Sequence, residues 1–173
     1  ACPVKNPLTE SPLVDGTAVM EALRADLSEM GLGPMPRQKS WSQHCQVEHN
    51  PYAEHESRKK WIQTEQKIPT EGKLIYFVGC TTSYRRQEIA KATLSVLRKL
   101  GVDFAILKDE WCCGSPLFRI GQRDVAKDHR EHNISALEDA GAETVITSCA
   151  GCYTTLKKGF ENSKNKPNFT VVH

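Results

Sequence analysis

The stretch 73-KLIYFVGC-80 decides how the second half of this chain folds. Its continuous apolar run, Leu74 to Val78, has the length of a buried strand, and Gly79 and Cys80 follow it as a turn. Unbroken apolar strands are typical of parallel sheets that are covered on both faces. The stretch therefore predicts an α/β fold, and the sequence on either side of it can be tested against that prediction.

The sequence after Cys80 repeats the alternation of helix and strand. A helix is predicted from Tyr84 to Leu100, and its apolar face should carry Ile89, Thr93 and Val96 together with Leu100. Further elements are predicted as a strand at 102–107, a helix at 117–140, a strand at 144–147, a helix at 153–160 and a strand at 169–172. This alternation predicts a small parallel sheet with flanking helices.

The sequence before residue 71 has a different character. A helix is predicted from Asp15 to Met30, with Val19, Leu23 and Leu27 on one face. Residues 34–70 show no clear period, and we interpret them as a linker with one short helix near 57–64. Two parts are therefore expected: a helical and irregular linker at 1–70, following a ferredoxin module that is missing here, and a cysteine-rich domain at 71–173.

Composition excludes several classes of function. The 173 residues carry a net charge of +2, which gives no reason to expect a nucleic-acid partner. No apolar run approaches the ~20 residues that span a bilayer, and no signal peptide is visible. Seven cysteines without a secretory signal favour a reducing compartment, where metal binding is more common than disulfides.

Five of the cysteines follow the predicted strands in order. Thirty-one residues separate the first from a vicinal pair, and thirty-four more separate the glycine after that pair from a C-x-x-C motif: Cys80, Cys112-Cys113-Gly114 and Cys149-Ala150-Gly151-Cys152. Because the carboxyl ends of parallel strands share one edge of the sheet, we expect the five thiols to converge there. Helix N-termini at this edge would stabilise negative charge.

Several kinds of thiol site fit this pattern. Zinc takes four ligands, usually from two C-x2-4-C pairs, and only one such pair is present. A redox-active dithiol at Cys149 and Cys152 would leave the other three thiols unexplained. Inert buried thiols account for one or two positions. Adjacent cysteines reach two metal atoms of a larger group more easily than one ion, so an iron–sulfur cluster is the favoured interpretation.

The five-cysteine pattern resembles the CCG domain of the heterodisulfide reductase family. That family includes catalytic subunits of heterodisulfide reductases and iron–sulfur subunits of glycolate, lactate and glycerol-3-phosphate oxidations. The resemblance covers residues 74–173. A weaker resemblance is to the linker of the membrane-associated, sulfite-reduction-associated branch. It is carried by Asn50-Pro51-Tyr52 followed by Arg58-Lys59-Lys60-Trp61.

The resemblance implies a noncubane 4Fe–4S cluster. Its ligands, which are also the catalytic residues, would be Cys80, Cys112, Cys113, Cys149 and Cys152, and two glycines, Gly114 and Gly151, would let the backbone approach it. This sequence has one CCG motif where catalytic members usually carry two. Cys2-Pro3 resembles the end of a ferredoxin motif, so Cys2 is a candidate ligand of a cubane 4Fe–4S cluster completed by cysteines outside the chain. A fragment of a longer protein is expected.

The implied function is electron transfer to a disulfide-type bond, in a small heterodisulfide or in a cysteine-bearing partner protein. The implied partners are ferredoxin-type and haem- or quinone-handling subunits, on the cytoplasmic side of a membrane complex. Two alternatives stay open: a relay subunit of a flavin-dependent hydroxyacid or glycerol-3-phosphate dehydrogenase, and a zinc-stabilised interaction module. Cys45 is interpreted as an ordinary thiol, with a place beside the cluster as the minority view. His129 and His132 are predicted to lie on a solvated helix face.

Overall fold

The apolar run that begins at Leu74 forms one edge of a three-stranded parallel sheet. The computed structural model describes residues 4–5, 14–55, 58–62, 67–161 and 167–173. Within these residues β1 (Leu74–Tyr76) pairs with β2 (Thr144–Ile146), and β2 pairs with β3 (Thr170–Val172). The order is β1-β2-β3, and Val145 is in register with Ile75 on one side and Val171 on the other. The small parallel sheet predicted from the sequence is confirmed.

The strand predicted at 102–107 is reduced to a single parallel bridge. Ala105 pairs with Ile75, accepting a hydrogen bond from Tyr76 N at 2.8 Å and donating one to the carbonyl of Leu74 at 2.9 Å. The segment therefore lies along the free edge of β1 but leaves it after one pairing. Its buried residues Ile106 and Leu107 still contribute to the core.

Helices cover both faces of the sheet, as expected for a parallel sheet. On one face Ile75 and Val145 pack against Leu137 and Leu156, which come from α6 (Arg123–Asp139) and α7 (Ala150–Glu161). On the other face Tyr76 and Val78 meet α4 (Gln87–Lys99), which buries Ala90, Leu94 and Leu97. Successive residues of β1 thus face opposite sides of the sheet, and both sides are filled.

The helix predicted at 84–100 differs in two respects. It is split into α3 (Cys80–Tyr84) and α4 by a break at 85–86. Its predicted apolar face is also wrong by one position, because the buried residues are Ala90, Leu94 and Leu97, whereas Val96 is 56% exposed. Both sets have helical spacing, and only contact with the sheet selects between them. The helix predicted at 117–140 forms as α5 (Ser115–Arg119) and α6.

The first helix is confirmed, but the apolar face predicted from its sequence is not buried. α1 (Gly16–Glu29) begins after Asp15, whose side chain accepts hydrogen bonds from two backbone N–H groups of the first turn. Ala25 is fully buried, while Val19 and Leu23 are each about half exposed. α1 is held through its backbone, because Gly121 lies so close that an added Cβ would come within 2.3 Å of the Arg24 carbonyl oxygen.

Residues 34–70 contain a helix that the sequence did not predict, since only one short helix near 57–64 was expected there. α2 (Pro36–Glu48) is a regular helix that buries Ser42 and Cys45. It has no apolar stripe, so the sequence shows no helical period, although Pro36 at its first turn is a known start signal. The helix expected near 57–64 is not present in its described part, where residues 58–61 form a turn. No helix in the described parts of the chain has the length and apolar character needed to cross a membrane.

Candidate metal centre

The five patterned cysteines meet at the carboxyl edge of the sheet. All five line one cavity of about 480 Å³: Cys80, Cys112, Cys113, Cys149 and Cys152. Four of them are buried, and Cys149 is half-buried. The topology explains the convergence, because α3 begins at Cys80 just after β1 and α7 begins at Ala150 just after β2. The convergence predicted from the strand order is therefore present.

The thiols form one continuous chain of sulfur contacts. Cys80 is hydrogen-bonded to Cys112, Cys112 to its neighbour Cys113, Cys113 to Cys152, and Cys152 to Cys149. Within the described residues no group of three or more His, Cys, Asp or Glu side chains is arranged around one metal ion. The donors thus form an elongated row along a cavity wall.

The pKa values of the five thiols are shifted in different directions along this row. Hydrogen bonds from Cys112 and Cys152 lower the pKa of Cys113 well below its ordinary value. Burial alone would raise the pKa of Cys80, but the Cys112 thiol and the Arg58 guanidinium lower it overall. The Cys152 thiol, with nearby backbone N–H groups, lowers the pKa of Cys149 to about 6. The donors Cys112 and Cys152 have raised pKa values. The pKa is thus lowered at three of the five thiols, Cys80, Cys113 and Cys149, and a lowered pKa favours the thiolate form that binds metal.

Glycines allow the backbone to approach the sulfurs closely. Gly79 has a φ of +79°, and a Cβ there would lie 2.9 Å from the Cys152 sulfur. Gly151 lines the cavity, as predicted. Gly114 adopts a φ of +85°, but an added Cβ would meet the Ala126 carbonyl oxygen of α6 at 3.3 Å. The sequence pattern pointed to Gly114 and Gly151, whereas the missing side chain of Gly79 leaves room for the Cys152 sulfur.

A buried ion pair lies behind Cys80. Arg58 donates from Nη2 to the Cys80 sulfur at 3.2 Å and from Nη1 to Glu110 Oε1 at 3.2 Å. Burial lowers the pKa of Arg58, but the neighbouring Cys80 and Glu110 raise it, and the net shift is upward. Burial raises the pKa of Glu110, against the effect of Arg58 and of the backbone N–H groups of Gly79 and Val78. Sequence analysis placed Arg58 only in the linker motif and missed Glu110, because Arg58 lies 22 residues from Cys80 and 52 residues from Glu110.

The segment before the cysteine-rich domain forms part of the wall. Asn50 is fully buried, and its amide bonds the backbone of residues 48, 52 and 54. Tyr52 Oη lies 2.9 Å from Thr81 Oγ1 of α3, and the carbonyl of His49 accepts from Cys112 N at 2.9 Å. The Asn-Pro-Tyr motif therefore folds against the cysteines.

Cys45 lies beside the patterned thiols and not out in a linker. Its side chain is fully buried and hydrogen-bonded to the Cys112 thiol. It does not line the cavity that the five others share. The structure thus supports the minority interpretation of Cys45 as a neighbour of the site, placed behind Cys112.

The prediction of a solvated histidine face is wrong. His129 is 1% exposed, with Nδ1 3.2 Å from the Cys112 carbonyl and Nε2 3.0 Å from the Cys45 carbonyl. Burial lowers the pKa of His129 overall. His132 is half-buried and stacks on Trp111 at 3.8 Å between ring centroids, and His49 stacks on the other face at 3.5 Å. Trp111 is thereby fixed directly before the cysteine pair.

The cavity is lined by aromatic and positively charged side chains as well as by the thiols. Away from the sulfurs it is lined by the aromatic side chains Trp41 and Tyr52 and by the arginines Arg24 and Arg119. Arg24 Nη1 donates to the Arg119 carbonyl at 3.0 Å, which holds the two arginines near each other. A molecule bound in this cavity would therefore have aromatic surface and positive charge near the thiols.

Comparison with known proteins agrees with this geometry. Residues 74–157 match the cysteine-rich domain named CCG. Over 166 residues, 92% of the chain, the sequence is 37% identical to a subunit of the dihydromethanophenazine:CoB–CoM heterodisulfide reductase of Methanosarcina barkeri, covering 41% of that protein. It is 45% identical over 85 residues, 49% of the chain, to a subunit of the CoM/CoB fumarate reductase of Methanothermobacter marburgensis, covering 17% of it.

A third relative comes from bacteria. The sequence is 33% identical over 97 residues, 56% of the chain, to lactate utilization protein A of Bacillus thuringiensis, covering 40% of it. The chain spans about two-fifths of the length of the heterodisulfide reductase subunits it matches. No solved structure matches the chain.

Proposed function

Since the chain belongs to the family of cysteine-rich CCG-domain proteins, we propose that it is part of an iron–sulfur electron-transfer subunit that reduces a disulfide-type substrate. The proposed ligands of its cluster are Cys80, Cys112, Cys113, Cys149 and Cys152. The observation that carries the proposal is the continuous row of five thiols along the wall of one cavity.

The residues present fit such a group. Thiolates are the ligands that iron–sulfur clusters prefer, and three of the five thiols have a lowered pKa. An elongated row that includes a vicinal pair suits a noncubane 4Fe–4S cluster better than a compact tetrahedral ion. Such a cluster supplies single electrons and an iron that can meet a sulfur ligand.

The cavity mouth supports a sulfur substrate over a pure relay. A relay needs only a short distance to its redox partners, whereas this site opens into a space lined by Trp41, Tyr52 and two arginines. Two relatives are named for the CoM/CoB pair, one of them as a heterodisulfide reductase. In this proposal Trp41 and Tyr52 contact the substrate, while Arg24 and Arg119 attract an acidic group on it.

The surrounding assembly is part of the proposal. Residues 71–173 would be the CCG domain and residues 1–70 its link to a ferredoxin-type module, for which Cys2, outside the described residues, would supply a cubane-cluster ligand. Electrons would arrive from ferredoxin-type and haem- or quinone-handling subunits on the cytoplasmic side of a membrane. The named electron donor of the Methanosarcina relative, dihydromethanophenazine, supports a quinone-like source.

The second candidate function is a relay in a flavin-dependent hydroxyacid or glycerol-3-phosphate dehydrogenase. The similarity to lactate utilization protein A is the observation that favours it. The zinc-stabilised module is the weaker alternative, since five thiols in a row exceed the four ligands that zinc takes.

Matched cysteine substitutions test the cluster assignment. In the protein purified without oxygen, Cys113→Ser should remove most of the bound iron and sulfide, because Cys113 is the central sulfur of the row. Cys45→Ser should retain them, because Cys45 lies behind Cys112 and outside the cavity. Iron and acid-labile sulfide per chain are measured for both variants and for the parent. Unchanged iron in Cys113→Ser would refute the ligand set, and zinc in place of iron would favour the interaction module.

Substrate addition then separates a reductase from a relay. The EPR signal that is absent from Cys113→Ser should change shape when a thiol or disulfide is added to the parent protein. An unaltered signal, together with normal electron transfer to a redox partner, would favour the relay.

A further inference from the structure

We propose that Arg58 sets how readily the thiol-bound centre accepts an electron, because it holds a permanent positive charge against the ligand Cys80. The inference rests on the proposed iron–sulfur function. It concerns a residue that lies outside the cysteine pattern and before the matched domain at 74–157. Arg58 would be a positioning and tuning residue, without contact to the substrate.

The contacts of Arg58 fix its charge in one place. Its side chain is only 12% exposed. Nη2 donates to the Cys80 sulfur at 3.2 Å and to the His49 carbonyl at 3.0 Å, while Nη1 donates to Glu110 at 3.2 Å. The guanidinium carbon also lies 5.5 Å from the centre of the Tyr84 ring. A guanidinium keeps its charge at any pH that a folded protein tolerates, so this cation stays beside the sulfur.

Glu110 completes the arrangement with a charge of opposite sign. Its side chain is 3% exposed, and its oxygens accept from Val78 N at 2.8 Å, from Gly79 N at 2.8 Å and from Arg58. These three N–H donors fix the position of the carboxyl group directly behind Cys80. The cation touches the sulfur of Cys80 directly, whereas the anion contacts the backbone just before it, so the cation has the stronger effect on that sulfur.

The electrical consequence follows from the sign of the charge. A one-electron reduction adds negative charge to the cluster and its thiolates. A buried positive charge and an N–H donor at a ligand sulfur stabilise the reduced form more than the oxidised form. Arg58 therefore raises the reduction potential, and Glu110 lowers it by a smaller amount.

Two substitutions with opposite expected effects test the proposal. The reduction potential is measured by redox titration of the whole protein with its native partners, following the EPR signal that Cys113→Ser removes. Arg58→Gln should lower the equilibrium constant for reduction of the cluster at least tenfold. This corresponds to a fall in the reduction potential of about 59 mV for one electron. Glu110→Gln, which removes a negative charge from the same network, should raise the potential. Arg58→Lys should stay near the parent value.

A matched surface variant controls for net charge. Arg86→Gln makes the same change at a side chain that is 62% exposed and pairs with Glu88, and it should leave the potential unchanged. If Arg58→Gln loses its iron while Arg58→Lys keeps it, the reduction potential of Glu110→Gln decides the question. A higher potential than in the parent protein supports the proposal, and an unchanged potential contradicts it.

Other outcomes overturn the inference. Shifts in the same direction for Arg58→Gln and Glu110→Gln, or no shift in either, would show that the pair only joins two segments. Loss of iron from both Arg58→Gln and Arg58→Lys would also show that the Arg58–Glu110 pair only joins two segments. Iron and sulfide in the parent protein are measured first, so a missing cluster there counts against the proposed function and is distinguishable from a failure of the role of Arg58.

Discussion

At the scale of single residues, the space beside Gly79 is the tightest constraint on the site. Its positive φ permits glycine with little strain, and an added Cβ would lie 2.9 Å from the Cys152 sulfur. Gly79→Ala should therefore displace that sulfur and reduce bound iron several-fold. The measurement is iron per chain in protein purified without oxygen.

Gly141 supplies the control for this substitution. Its φ is +76°, close to that of Gly79, but nothing lies within 4 Å of an added Cβ. Gly141→Ala should keep its iron and cost only the backbone strain, about 1–2 kcal/mol. Equal iron loss in the two variants would mean that strain, not contact with the sulfur, is responsible.

The sequence predicted the residues whose spacing carries information and missed those that only the fold brings near. The five thiols could be assigned together because each follows a predicted strand or the loop after it. Arg58 and Glu110 have no such marker. His129 lies between Asp128 and Arg130 in the sequence, and only the closeness of α2 to α6 shows that it is buried.

At the scale of elements, helix faces were predictable only where an apolar stripe meets an apolar surface. α2 buries a serine and a cysteine: Ser42 Oγ donates to Gln122 at 2.9 Å, and Cys45 packs in the apolar cluster that includes Leu117. For α4, two sets of apolar residues had the right spacing, and the sheet selected the one that includes Leu94. α1 has a clear stripe, yet Val19 and Leu23 stay about half exposed in the described chain.

One side chain joins three of these elements. Gln122, at the turn between α5 and α6, accepts from Ser42 Oγ of α2 at 2.9 Å and donates to Ser28 Oγ of α1. Gln122→Ala should cost about 1–3 kcal/mol for the two lost hydrogen bonds. The denaturant midpoint, followed by the visible absorbance of the cluster, should fall accordingly.

Gln87→Ala is the matched comparison for Gln122→Ala. Gln87 is similarly half-buried, but its amide bonds only the Ser83 carbonyl four residues earlier. We expect a cost below about 1 kcal/mol, because the substitution removes one hydrogen bond between α4 and the adjacent α3 and leaves α1 and α2 untouched. If the two variants unfold at the same denaturant concentration, Gln122 does not hold α1 and α2 in place.

At the scale of the whole molecule, the site lies where two parts of the chain meet. The fold of one part could be predicted from its sequence, and that of the other could not. The sheet and its helices followed from the alternation of apolar runs after Leu74. The stretch from α2 to Trp61 has no such period, and yet it supplies Cys45, the His49 carbonyl and Arg58. These residues make single polar contacts with individual partners in the second half of the chain. Such contacts need no regular spacing, so they leave no periodic signal in the sequence.

This construction predicts that the bound cluster stabilises the entire chain. The thiols come from the end of β1, the loop before α5 and the start of α7, and α2 packs behind them. Without the cluster, these elements lose the one group that all five cavity-lining thiols would bind. Removing the iron with a chelator, without oxygen, should lower the free energy of unfolding by several kcal/mol, as is typical of ligands that bind only the folded state.

Limited proteolysis and thermal unfolding, before and after chelation, measure this effect. Cleavage should increase first at residues 48–55 and 58–62 and around 107–114, because the His49 carbonyl accepts from Cys112 N and the Arg58 side chain donates to the Cys80 sulfur. The iron-free Cys113→Ser variant supplies the control, since the chelator should not change it. Identical melting curves for the loaded and chelated parent protein would show that the fold positions the thiols on its own, with the cluster adding nothing to stability.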